Sequence, residues 1–287
     1  MGEIANVSVR LSSAPESVAV VQQALGGVAA ELGLDALEAN DVNTAVTEVC
    51  NNVVLHAYEG TRGPLEVAVH VLAGALEVVV RDRGIGIRPH LGERTQPHTG
   101  LGMPIVHALT QRLVFSKLDG GGTEVRLLFT TPDVVAPDAL AGDQLESRTA
   151  GEGEDEHTIA IALGPSTIAR AVLPRILGAL AKRAQFSSEG IAEVQLLADA
   201  LARNAGEWLA AGQLGLTVEL APHELELYVG PLRAGGAATV LDSTAGAGGV
   251  GLLIERLSGD PHDTCLDPHD APGDAGELLA LRLLERG

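Results

Sequence analysis

Glu48, Asn52 and His56 stand at i, i+4 and i+8 in a stretch whose other residues are largely apolar. On a helix that spacing lines three polar side chains along one strip, and such a strip suits a polar ligand. Magnesium takes hard oxygen ligands and commonly keeps waters and substrate phosphates, so the Asn52 amide oxygen could be the protein's whole contribution to a metal site. Glu48, one turn earlier, could accept a proton from an attacking hydroxyl. A solvated helix face would show the same three residues.

Asp82-Arg83-Gly84-Ile85-Gly86-Ile87 leaves the end of an apolar run that reads as a strand. A carboxylate there can accept a hydrogen bond from an exocyclic amine such as N6 of adenine, and Gly84 and Gly86 allow approaches that a Cβ would forbid. Thr99-Gly100-Leu101-Gly102 then opens a helix, whose free N–H groups favour an anion such as phosphate. Taken singly, both motifs are what ordinary turns and loops contain.

Taken in order, the three motifs resemble those of the gyrase, chaperone, histidine-kinase and mismatch-repair ATPase superfamily, over nearly all of residues 1–130. Within it, Val46-Thr-Glu-Val-Cys-Asn-Asn-Val-Val-Leu-His-Ala-Tyr58 looks like the asparagine box of the anti-sigma-factor serine kinases, as does the lid of 13 residues between Gly86 and Gly100. The resemblance implies an ATP site with Glu48 as general base, Asn52 as magnesium ligand and His56 on the same strip. It implies Asp82 at adenine with Gly84 and Gly86 beside it, Gly100, Leu101 and Gly102 on the phosphate side, and Thr123 near adenine. The implied reaction moves the γ-phosphate of Mg-ATP to a serine or threonine of an anti-sigma-factor antagonist, and the implied partners are that antagonist and a sigma factor. The alternative is a non-enzymatic protein that sequesters a sigma factor or related partner and keeps ATP as a structural ligand. His98 stands where the family often has an arginine near the γ-phosphate. A neutral imidazole would stabilise transition-state charge less well unless Arg94 substitutes.

The elements that must hold these residues follow from periodicity. Ile4–Leu11 reads as a strand, a helix runs from the Ser12–Pro15 turn to about Leu32, and Leu37–Tyr58 reads as a second helix with Val42, Ala45, Val46, Val49 and Val53 on one face. Leu65–Leu72 and Leu76–Arg81 form a hairpin, Met103–Leu113 a helix and Thr123–Phe129 a closing strand. The expected fold is α/β, an α+β two-layer sandwich whose mixed, largely antiparallel sheet is covered by helices on one face.

Residues 131–156 hold eight acidic residues against one arginine, with prolines and glycines, and read as a linker. Beyond it the order returns: strand 157–163, helices 168–184 and 191–209, hairpin 216–229, Gly248–Gly251 and strand 278–284. Asp82 precedes Gly100 by 18 residues and Pro231 precedes Gly249 by 18. The chain therefore reads as a tandem duplication: an ATP domain at 1–130, the linker 131–156 and a degenerate copy at 157–287. In that copy Asp199, Arg203 and Pro231 take the places of Glu48, Asn52 and Asp82. Arginine has no lone pair for a metal and proline no carboxylate, so the copy is expected not to bind ATP. It would serve as a pseudo-domain in an intrachain pseudo-dimer, or in a homodimer, or be a drifted structural duplicate.

Bulk properties narrow the rest. With 287 residues and about 150 per domain, two domains are expected. A formal charge of −19 with no basic cluster disfavours direct nucleic-acid binding. Cys50 and Cys265 suggest no disulfide framework, and no apolar run reaches membrane-span length, so a cytoplasmic protein that does not enter a membrane is expected. His262, Cys265 and His269 lie close together but lack a second ligand cluster, and they read as an acidic loop.

Overall fold

The structure, a computed structural model, describes residues 5–85, 102–131, 158–210, 212–242, 257 and 277–285. In the first strand, β1 (Val7–Ser12), Val7, Val9 and Leu11 are buried and alternate with residues that face outward. The helix α1 (Pro15–Glu31) starts on a proline, whose fixed φ suits the first helical position. The next, α2 (Ala36–Asn52), opens with a capping box. Asp35 Oδ1 accepts the N–H groups of Leu37 and Glu38, and Glu38 Oε2 accepts that of Asp35, each at 2.8 Å. These bonds satisfy donors that a helix start leaves open.

The single helix expected to reach Tyr58 is instead two pieces. α2 ends at Asn52 and Val53–Ala57 forms a π-helical turn. Such a turn takes more residues per revolution than an α turn, so positions four apart no longer superpose there.

The hairpin of β2 (Pro64–Leu72) and β3 (Ala75–Asp82) closes on the pair Leu72–Ala75. α3 (Gly102–Leu109) is shorter than expected: the Thr110 hydroxyl bonds back to the Val106 carbonyl at 2.9 Å and the helix stops. Arg112–Lys117 then forms β4, a strand that periodicity did not reveal, hydrogen-bonded to β5 (Thr123–Thr130) at the edge of the sheet. An edge strand with no fully buried residue carries no alternating signal.

The remaining described elements are β6 (Thr158–Leu163), α4 (Ser166–Arg183), α5 (Ser188–Trp208), β7 (Leu214–Ala221), β8 (Glu224–Leu232), α6 (Gly236–Asp242) and β9 (Glu277–Leu284). α6 was not expected. The bulk of the linker, Gly248–Gly251 and the His262–His269 cluster fall outside the described residues.

Among the described residues the nine strands belong to one sheet, in the order β4-β5-β3-β2-β1-β6-β7-β8-β9. The sheet expected to be mixed and largely antiparallel is antiparallel at each neighbouring pair of described strands. A crossover through one helix returns the chain parallel. Here two helices, out and back, join β1 to β2 and β6 to β7, so each return is antiparallel. β1 and β6 pair directly, Val7 with Leu163 and Val9 with Ile161, and α1 packs on α4 above them. The helices cover one face, and buried residues of both halves make one continuous apolar core.

Candidate active site

The C-terminal half of α2 sends Glu48 and Asn52 toward the start of α3. Both are half-buried. The approach is close enough that a Cβ on Gly102 would lie 2.6 Å from Glu48 Oε2, so glycine is what lets the α3 N-terminus reach this carboxylate. The Asn52 Nδ2 donates to Met103 Sδ at 3.3 Å. With its nitrogen so used, the amide oxygen is the atom left to meet a cation. His56 lies in the π-helical turn and is exposed.

Asp82 ends β3 and is 1% exposed. Its Oδ1 accepts the Gly84 N–H at 2.9 Å, and Thr123, also buried, is its cross-strand neighbour on β5. Burial pushes the carboxyl above the usual aspartate range, while the N–H of Gly84 and the N–H and hydroxyl of Thr123 pull it partly back. Oδ2 is buried without a hydrogen-bond partner. An unpaired buried acceptor costs about 1–3 kcal/mol, and a ligand N–H would relieve it. Gly84 is tucked beneath the π-helical turn, where a Cβ would collide with the Ala57 carbonyl, and Gly122 leaves no room between itself and the Asp82 carbonyl.

The structure thus gathers Glu48, Asn52 and Gly102 at one place and Asp82, Gly84 and Thr123 at another, with α2 and its π-helical turn reaching both. Gly86, Arg94, His98, Gly100 and Leu101 lie outside the described residues. Met103 and Tyr58 contact the site through Asn52 and through Arg83, respectively. Neither was given a role from sequence: Tyr58 closes the quoted asparagine box with no role of its own, and a methionine in a helix carries no motif. Cys50, wholly buried with its thiol pushed up to about 12 by desolvation, is a packing residue.

A different set of contacts occupies the second half. Asp199 and Arg203 form an ion pair with each other on α5. Trp208, at the end of α5, is 1% exposed and fills the core there. The Glu277 carboxylate accepts the N–H of Gly235 at 2.7 Å and of Ala237 at 3.3 Å, which holds it below the usual glutamate range. Among the described residues no group of three or more His, Cys, Asp or Glu is placed to hold a metal, and no helix is long and apolar enough to cross a membrane.

Residues 11–129 match the family model of the histidine kinase-like ATPase domain. The serine-protein kinase RsbW of Bacillus pumilus is 34% identical over 118 residues, which are 36% of this chain and 73% of that protein. The RsbW of Bacillus subtilis is 32% identical over 116 residues, 36% of this chain and 72% of its own length. A crystal structure of the RsbU and RsbW domains of Rv1364c from Mycobacterium tuberculosis aligns at 25% identity over 43% of this chain and 32% of that one, with a TM-score of only 0.33. The asparagine-box helix, the buried Asp82 and the glycine at the head of α3 all lie within the matched segment, and through it the chain belongs to the family of histidine kinase-like ATPase domains that includes the anti-sigma-factor serine kinases.

Proposed function

We infer that the first half binds Mg-ATP and transfers its γ-phosphate to a serine or threonine of a protein antagonist, within a cytoplasmic regulatory circuit that also includes a sigma factor. The observation that carries this is the pairing of two unlike clusters across one helix. Asp82 offers a buried, unpaired carboxylate oxygen suited to an exocyclic amine, and Glu48 with Asn52 meets the head of a helix whose N–H groups suit phosphate.

In this assignment Asp82 and Thr123 hold adenine, and Gly84 with Gly86 allows the ring to lie close to backbone. Asn52 holds magnesium by its amide oxygen. The metal, when bound, neutralises charge on phosphate oxygens. Gly100, Leu101 and Gly102 are assigned to the phosphates, and His56 and His98 to the nucleotide as well, on the strength of the family resemblance. Glu48 takes the proton of the attacking hydroxyl, for which a half-buried carboxylate one turn from the metal ligand is well placed. RsbW relatives are named serine-protein kinases, which supports phosphotransfer as the reaction.

The second half, residues 157–287 after the linker 131–156, is a degenerate copy without an ATP site. Hairpin register supports this alignment. The closing pair Leu72–Ala75 corresponds to Ala221–Glu224, and the residue seven on from Ala75 is Asp82, while seven on from Glu224 is Pro231. Its β6 and α4 sit on the β1 edge and on α1 as a second subunit would, making an intrachain pseudo-dimer.

Incubation with γ-labelled ATP, magnesium and a candidate antagonist tests the reaction. Label on a serine or threonine of the antagonist is expected, and its loss in Glu48→Gln. ATP binding without any transfer would sink the kinase and leave a protein that holds ATP and sequesters its partner.

A further inference from the structure

Three consecutive backbone N–H groups follow Asp82, and each is held by a different acceptor. The Gly84 N–H goes to Asp82 Oδ1 at 2.9 Å and the Ile85 N–H to the Ala57 carbonyl at 2.9 Å. The Arg83 N–H goes to the phenolic oxygen of Tyr58, also at 2.9 Å. That phenol in turn donates to the Pro64 carbonyl at 2.5 Å. The Tyr58 ring lies flat enough on Gly63 that a Cβ there would run into it, and Gly63 is itself fixed, its carbonyl accepting from Ser13 N–H at 2.7 Å and its N–H donating to Ser13 Oγ at 3.0 Å. Tyr58 therefore joins the end of the asparagine-box helix to both the start of β2 and the residue that follows Asp82 at the end of β3.

The Arg83 N–H belongs to the peptide plane between Asp82 and Arg83. Fixing that plane fixes where the next N–H, that of Gly84, stands, and because this N–H holds Asp82 Oδ1, it sets the direction left to the unpaired Oδ2. The other half of the chain makes the corresponding junction without a phenol: the Arg233 N–H bonds to the Trp208 carbonyl at 2.9 Å, the Ala210 N–H to that of Pro231 at 3.1 Å, and the Arg233 guanidinium to the Gly206 and Leu209 carbonyls. There, Leu209 follows Trp208 and no carboxylate needs aiming. A phenol is used only on the side where a carboxylate stands at the strand end.

We propose that Tyr58 is a positioning residue for adenine recognition, setting the direction of Asp82 Oδ2 through the Arg83 N–H. The assignment rests on the nucleotide site inferred above. Its consequence is confined to the contact with the exocyclic amine, so it is a determinant of selectivity for adenine over purines that lack N6.

Titration calorimetry of the full chain with ATP and with purine riboside triphosphate, which has no exocyclic amine, tests it. Wild type is expected to prefer ATP. Tyr58→Phe keeps the ring on Gly63 and removes only the phenol. It is expected to weaken ATP binding about tenfold, the scale of one misdirected hydrogen bond, and to leave the purine analogue unchanged. Equal losses for both nucleotides, or no loss for either, would overturn the assignment, whether or not the variant melts at a lower temperature. If wild type binds neither nucleotide, the nucleotide site fails, and the role of Tyr58 with it. If wild type binds both equally, Asp82 does not read the amine and the role of Tyr58 is likewise overturned.

Discussion

Asp82 shows what a buried carboxylate costs the folded protein. Its folded carboxyl titrates above the unfolded aspartate value of 3.8 because burial penalises the charge. The folded state therefore holds a proton more tightly than the unfolded state does. The penalty is fully present above the raised value and disappears as pH falls below 3.8. Asp82→Asn removes the charge while keeping an oxygen for Gly84. Nucleotide-free Asp82→Asn is expected to be more stable than wild type at pH 7 by about 1 kcal/mol, with the difference shrinking toward pH 4. Urea denaturation at the two pH values measures this, and a variant less stable than wild type at pH 7 would count against a strained carboxylate. The same change should weaken ATP binding, so stability and function move in opposite directions at this residue. Asp82 was legible in the sequence because its Asp-x-Gly-x-Gly run stands in order between an asparagine box and a second glycine box, although taken singly the run is what any turn contains. Its unpaired Oδ2 was not, since that depends on how β5 and the Gly122 turn close over it.

At the scale of elements, α2 carries both Glu48 and Asn52, and its start is fastened by Asp35. Alanine at an N-cap position typically costs about 1 kcal/mol, and here it removes the acceptor of the Leu37 and Glu38 N–H groups while leaving the backbone bond from residue 35 to Glu38 Oε2. Asp35→Ala is expected to lower stability by about that amount in chemical denaturation, with ATP affinity unchanged because Glu48 and Asn52 stand at the opposite end of the helix. An affinity loss much larger than twofold would mean that α2 transmits the disturbance along its length. The heptad-like face of α2, the hairpin β2–β3 and the helices α1, α4 and α5 could all be read from periodicity, since each buries one face against a sheet. The π-helical turn and β4 could not. A π turn differs from an α turn by its hydrogen bonding, not by residue type, and β4 pairs with only one neighbour and has no buried face to impose alternation.

At the scale of the molecule, the sequence reads as two domains on a linker, yet the described residues share one sheet and one apolar core. Alternation in β1 and β6 declares two strands but not that they pair with each other, because the outer edge of a strand leaves no mark on its side chains. The junction is tight as well: a Cβ on Gly27 of α1 would lie 2.7 Å from the Ala171 carbonyl of α4. Two domains tethered by a linker would melt separately, and ATP would raise only the transition of the first. A shared core and a continuous sheet make the halves one cooperative unit, so calorimetry of the nucleotide-free chain is expected to give a single transition. ATP at about 100 times its dissociation constant should then raise that whole transition by about 2.7 kcal/mol, the value for one site per chain, although only the first half touches the nucleotide. Gly27→Leu forces α1 and α4 apart, and overpacking of this kind costs about 1–3 kcal/mol. In that variant the transition should broaden or split, and ATP should protect the first half alone. Two resolved transitions in the wild type would show that β1 and β6 do not bind the halves into one unit, and the intrachain pseudo-dimer would fall with them.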